Sequence, residues 1–248
     1  MIIIANWKAY VPDVARGKKL VALAKRLAST TKIKIVLAPS APVLGLLAAG
    51  NRSRVAFAAQ DISASTDGVA TGESTAAAFA SAGATYTIVG HSERRALGET
   101  DAVVAEKMRR ALAQGLTPIL CVGETQRDAS AEYLTVLRTQ IGTALEPLTP
   151  KERLGVIIAY EPVWAIGKTA AEAISGSDLT EMVLYIRKVL GEYLSHKAPA
   201  RIPVLYGGSV DPTNVRELAA ASQVDGFLVG RASVNPDSFT GLVKALHT

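Results

Sequence analysis

Eight short apolar runs, segments of helical period between them, and an unbroken alternation of the two along the chain predict an α/β protein whose eight parallel strands close into a β/α (TIM) barrel. The runs are Ile2 to Ala5, Ile33 to Ala38, Val55 to Ala59, Thr85 to Val89, Thr117 to Val122, Gly155 to Tyr160, Ile202 to Tyr206 and Asp225 to Val229. They are near-continuous in Val, Ile, Leu and Ala rather than alternating with polar residues, which is the pattern of parallel strands covered on both faces. No linker, low-complexity tract or charge block interrupts them, so residues 1–248 are expected to form one catalytic domain.

Each element carries its own signal. The first run leads into Asn6-Trp7-Lys8, not a Gly-rich dinucleotide fingerprint, which favours a closed barrel over an open doubly wound sheet. Leu20, Leu23, Ala24 and Leu27 then fall on one helix face, with charged residues opposite. The uncharged stretch from Ile35 to Gly50 holds Pro39 and Pro42, so it reads as strand, loop and helix rather than a membrane span. Between the sixth and seventh runs, Met182, Tyr185, Ile186 and Val189 form another apolar face, and Asp178 with Glu181 resembles a capping box. Asp211-Pro212 and Asn235-Pro236 each set a capping side chain before a proline, predicting helix starts after the last two strands.

Composition narrows the functional class. The chain is 49% hydrophobic and 20% charged, enough to bury a large core and unlike a disordered chain. Its formal charge of +5 is spread as pairs such as Lys18-Lys19 and Arg109-Arg110, without the basic face of a nucleic-acid binder, and suits a small anionic substrate. One cysteine, Cys121, and three histidines make a poor inventory for disulfides or metals. A reducing cytoplasm is expected, since the polar Asn6-Trp7-Lys8 follows the first run too soon for a signal peptide.

In a parallel barrel the carboxyl ends of the strands open on one face, and the sequence collects its unusual chemistry there. Asn6 and Lys8 end the first strand, His91-Ser92-Glu93 the fourth, Glu161 the sixth, Gly207-Gly208-Ser209 the seventh and Gly230 the eighth. Alone, any of these reads as an ordinary loop residue. Together they suit Glu161 as a general base removing a proton beside a carbonyl, with His91 and Lys8 stabilising the enediolate. His91, just before a predicted helix start, would be favoured as a neutral ring that donates to oxygen. The glycines let backbone N–H groups approach a phosphate, although Gly207-Gly208 is equally consistent with a plain tight turn. The apolar segment Pro162 to Ala170 fits either a lid that excludes water or a loop packed permanently on a helix.

These residues stand within longer motifs: Ala5-Asn6-Trp7-Lys8, Val89-Gly90-His91-Ser92-Glu93-Arg94-Arg95, Cys121-Val122-Gly123-Glu124, the run from Ala159 to Ala170, and Tyr206-Gly207-Gly208-Ser209-Val210. Along essentially its whole length the chain resembles triosephosphate isomerase, a family whose glutamate base, neutral histidine and closing loop are standard worked examples of such chemistry. The resemblance implies interconversion of dihydroxyacetone phosphate and D-glyceraldehyde 3-phosphate through an enediol(ate), in glycolysis and gluconeogenesis, with no cofactor. It implies that Glu161 moves the proton between carbons, His91 between oxygens, that Lys8 stabilises negative charge, and that Asn6 orients the substrate. Phosphate would be held around Gly167, Ser209, Gly230 and Arg231. It further implies a homodimer joined through Thr71-Gly72-Glu73-Ser74, where Glu73 either pairs with Arg94 of the neighbouring copy or stays solvated.

The chain departs from the family pattern at Ala9-Tyr10, at Asp61 after Gln60, at Arg231 where a second glycine is usual, and in a longer segment from Glu172 to Asp178. Arg231 raises the question of whether that position needs a positive φ. Two alternatives keep the barrel and change the function. A non-catalytic sugar-phosphate binder would need neither base nor electrophile, and a Schiff-base aldolase would need Lys8 as nucleophile, which borohydride trapping would reveal.

Overall fold

The computed structural model describes residues 1–65, 68–127, 129–165, 174–194 and 201–247. Its strands are β1 (Ile2–Asn6), β2 (Lys34–Ala38), β3 (Ala56–Ala59), β4 (Tyr86–Val89), β5 (Thr117–Val122), β6 (Ile157–Tyr160), β7 (Val204–Tyr206) and β8 (Gly226–Val229). All pair in parallel with their sequence neighbours, and β8 returns to β1, giving a closed barrel in the order β1 to β8. Most strands begin one or two residues inside the apolar runs: Ile33, Val55 and Ile202 are buried ahead of the ladder, while Thr85 and Gly155 are exposed entry residues.

The closing seam depends on Gly226. It pairs with Ile2, and a methyl group there would lie 1.9 Å from the Ile2 carbonyl oxygen, so no larger residue fits without moving the strands apart.

The strand period of two sorts the core into layers. Ile4, Val36, Ala58, Ile88, Ile119, Ala159, Leu205 and Leu228, one from each strand, belong to a cluster that fills the barrel interior. Their neighbours Ile3, Leu37, Phe57, Val89, Leu120, Ile158, Val204 and Phe227 join the larger cluster shared with the helices.

The helices are α1 (Val14–Thr30), α2 (Ala41–Ala48), α3 (Ala76–Ser81), α4 (Ser92–Ala96), α5 (Asp101–Ala113), α6 (Glu132–Leu145), α7 (Pro150–Arg153), α8 (Gly176–Tyr193), α9 (Val215–Ser222) and α10 (Pro236–Ala245). The expected faces are buried: Leu20, Leu23, Ala24 and Leu27 on α1, and Met182, Ile186 and Val189 on α8, while Tyr185 is half-buried and donates to the Leu134 carbonyl. Among the described residues no helix is long and apolar enough to cross a membrane.

Two predicted helix starts move. Helix α8 is capped by Ser175, whose hydroxyl accepts the Asp178 N–H at 3.1 Å, so Asp178 sits in the first turn rather than at the cap. After β7, Asp211 accepts from the Thr213 N–H at 2.7 Å and is consumed in a turn, leaving α9 to begin at Val215. Asn235 caps α10 as expected, accepting from Asp237 and Ser238 N–H groups. A reciprocal capping box stands instead at Thr149 and Glu152. Replacing Thr149 by Ala is expected to lower stability by about 1 kcal/mol, read as a shifted urea midpoint with unchanged slope.

Candidate active site

The carboxyl ends of the strands deliver the predicted groups to one mouth. Glu161 follows β6 directly and is 2% exposed; His91 lies two residues after β4 and is also buried. Their side chains meet, with His91 Nε2 3.2 Å from Glu161 Oε1. The other carboxylate oxygen accepts the Ser92 N–H at 3.1 Å. His91 is the N-cap of α4, and its Nδ1 accepts the Glu93 N–H at 3.1 Å. An imidazole accepting at Nδ1 carries its proton on Nε2, aimed at the carboxylate and the mouth.

Lys8 presents its ammonium from the end of β1, 2.6 Å from Glu93 Oε1. Burial alone would raise the Glu93 carboxyl, but the hydrogen bond and charge of Lys8, with His91 nearby, outweigh it and hold the group below its ordinary value. The pair is therefore intact at neutral pH, and it is lost only as pH falls through that lowered value, below the usual carboxylate range near about 4.3.

The backbone of Lys8 is left-handed, with φ +46°, a conformation worth of order 1–3 kcal/mol of strain in a residue with a side chain. Two side chains hold it there. Asn6 Oδ1 accepts the Lys8 N–H at 3.0 Å, and Gln60 Nε2 donates to the Lys8 carbonyl at 2.9 Å while also donating to the Ala38 carbonyl. Asn6 is thus engaged with Lys8 itself.

The glycine loops adjoin these groups. Gly207 donates its N–H to the Tyr160 carbonyl, and a methyl group on it would come within 2.8 Å of Glu161 Cγ. A methyl group on Gly208 would strike the ring of Tyr206. Ser209 Oγ donates to the Ala165 carbonyl at 3.1 Å. Gly230 follows β8 and lies beside the Lys8 side chain, 3.7 Å from its Cε to the nearest point a methyl group would reach. Arg231 opens the 3₁₀ turn Arg231–Val234 with its side chain exposed and without a positive φ, so the position does not require glycine. Gly167, with lid residues 166–170, and Glu172 lie outside the described residues.

Three groups escaped the sequence reading. Gln60 is one; its signal was an amide immediately after β3, at the same offset as Glu161 after β6. Glu124 is the second, 1% exposed after β5. Its Oε1 accepts from Tyr160 OH at 2.9 Å and Trp164 Nε1 at 2.8 Å, tying the 3₁₀ turn Val163–Ala165 to the barrel. Burial and the Glu124 charge push the Tyr160 phenol far upward, so it stays a donor. Gln140 on α6 is the third, and nothing in its helical pattern set it apart.

Cys121, in the barrel interior beneath Glu161, is no rival nucleophile. Burial pushes its thiol well above the ordinary value, and the Glu161 charge adds to this. A cavity of about 410 Å³ opens beside Asn6, Lys8 and His91 and runs past Gln60 to Glu73, and a second of about 300 Å³ adjoins Glu161. Along the first, Asp61 holds Arg94 at 2.9 Å and Lys107 at 2.7 Å, and Lys107 also contacts Glu99.

A closed parallel barrel that brings a carboxylate, an imidazole and an ammonium to the carboxyl ends of its strands defines a β/α-barrel enzyme of the acid–base type. The family model described as triosephosphate isomerase matches residues 1–246. Relatives named triosephosphate isomerase include that of Symbiobacterium thermophilum, 41% identical over 98% of this chain and 96% of its own. That of Rhodopirellula baltica is 38% identical over 99% and 97%, and that of Thermus thermophilus 39% identical over 98% of each. The chain belongs to the triosephosphate isomerase family.

Proposed function

We propose that this chain interconverts dihydroxyacetone phosphate and D-glyceraldehyde 3-phosphate, serving glycolysis and gluconeogenesis as one catalytic domain over residues 1–248. The observation that carries the mechanism is the meeting of Glu161 with His91 Nε2 at 3.2 Å, in a mouth that also holds Lys8.

Glu161 takes the proton from the carbon beside the substrate carbonyl and returns it to the adjacent carbon. To reach that carbon its carboxylate releases the Ser92 N–H. His91, with its proton on Nε2, donates to the carbonyl oxygen and recovers a proton from the neighbouring hydroxyl, so the ring ends each cycle as it began. Lys8 stabilises the negative charge that builds on oxygen, where a fixed cation in a site shielded from water is most effective. Gly207, Gly208, Ser209, Gly230 and the backbone of Arg231 form the phosphate cradle, a reading supported by how close Gly207 lies to Glu161 and Gly230 to Lys8. Gly167 and the lid complete it, as the family resemblance implies.

A coupled assay in each direction tests the reading, and absence of turnover with both triose phosphates would overturn it. We place the enzyme in the cytoplasm and read it as a homodimer joined through Thr71, Gly72 and Glu73. The loop is exposed, and Arg94 already pairs with Asp61 within the chain, so the partner's Glu73 would join an existing charge cluster. Sedimentation equilibrium is expected to give twice the 26.0 kDa chain mass, and a monomer would dismiss this part.

A further inference from the structure

We infer that Gln140, on the outer helix α6, is a positioning residue for the reaction: its amide fixes the peptide groups of Gly123 and, through them, the backbone from which Glu161 is presented. The inference rests on the reading of Glu161 as the base.

The contact is a matched pair. Gln140 Oε1 accepts the Gly123 N–H at 2.8 Å, and Gln140 Nε2 donates to the Gly123 carbonyl at 3.2 Å. Both bonds are buried. The helix that supplies the amide is firmly seated, since the flanking Leu137 and Ile141 are fully buried.

Gly123 passes this placement on. A methyl group at Gly123 would lie 1.8 Å from the Glu161 carbonyl oxygen and 2.6 Å from its carbon, so the two backbones are in direct contact. Val122, the preceding residue, accepts the Glu161 N–H at 2.8 Å. A shift of Gly123 must therefore displace the peptide that carries the base.

Packing does not offer a substitute on this side. The cavity of about 300 Å³ next to Glu161 is bordered by Gly123 and Gln140, so packing against this backbone is incomplete on that side. Hydrogen-bond geometry is left to define it. Displacing a catalytic group by about 1 Å can lower a rate by about 10²-fold, whereas phosphate held at β7 and β8, which Gln140 does not touch, would be affected far less.

The test uses Gln140→Leu, which removes both bonds, and Gln140→Glu, which keeps the acceptor and loses the donor when ionised. Both are expected to lower kcat by at least about tenfold, with KM and the inhibition constant of inorganic phosphate within about threefold of wild type. For Gln140→Glu, kcat relative to wild type at the same pH should rise as pH falls, because a protonated carboxyl again offers a donor to Gly123. Unchanged kcat, or a loss matched by equal weakening of KM and of phosphate inhibition, overturns the inference; if Gln140→Leu fails to fold, Gln140→Glu is judged by the same criteria. Wild-type turnover in the same assay tests the functional reading separately.

Discussion

Replacing Glu161 by Gln is expected to lower turnover by at least about 10²-fold while leaving the barrel folded, because an amide cannot take a proton from carbon. The local geometry also sets the stability change. Glu161 faces two donors, the Ser92 N–H and the Nε2 side of His91. A carboxylate accepts from both, whereas a carboxamide has one acceptor oxygen. His91 cannot adapt by moving its proton, since its Nδ1 is already accepting the Glu93 N–H. One donor is left without its partner, which costs about 1 kcal/mol. A coupled assay and a thermal melt separate the two effects. A rate equal to wild type would remove Glu161 from the role of base.

Lys8→Ala is expected to lower turnover by about 10²–10³-fold through loss of the charge that stabilises the enediolate. Little stability should go with it from the ion pair, because Glu93 is 61% exposed and exposed pairs contribute at most about 1 kcal/mol. Alanine at φ +46° keeps the backbone strain, and Lys8→Gly relieves it. The two variants should be equally poor catalysts, with the glycine variant the more stable by about 1 kcal/mol. If both failed to fold, Lys8 would be a structural residue and its assigned role would fall.

The barrel was legible because strands buried on both faces write themselves as continuous apolar runs, and eight such runs leave few arrangements open. The site was legible where chemistry stands within one or two residues of a strand end, as with Lys8, His91 and Glu161. What sequence could not convey was which polar groups answer one another. Asn6 read as a residue that orients the substrate, and sequence did not show that its carbonyl oxygen also accepts from the Lys8 backbone, a relation that depends on the left-handed turn. Gln60 and Gln140 act on backbones 52 and 17 residues away, and no local pattern records such distances. The displaced caps have a similar cause: Ser175 and Asp178 are both competent N-caps, and only the tertiary path of the chain selects Ser175.

The seam between Gly226 and Ile2 also bears on how the chain folds. Strand β1 bonds on one side to β2, its neighbour in sequence, and on the other to β8, the strand most distant from it in sequence. Until β8 docks, the sheet carries an open edge on β1, the kind of edge that recruits strands from other chains. Closure of the barrel requires β1 to meet β8, the pairing most distant in sequence, so it carries the largest loop-closure cost in the sheet.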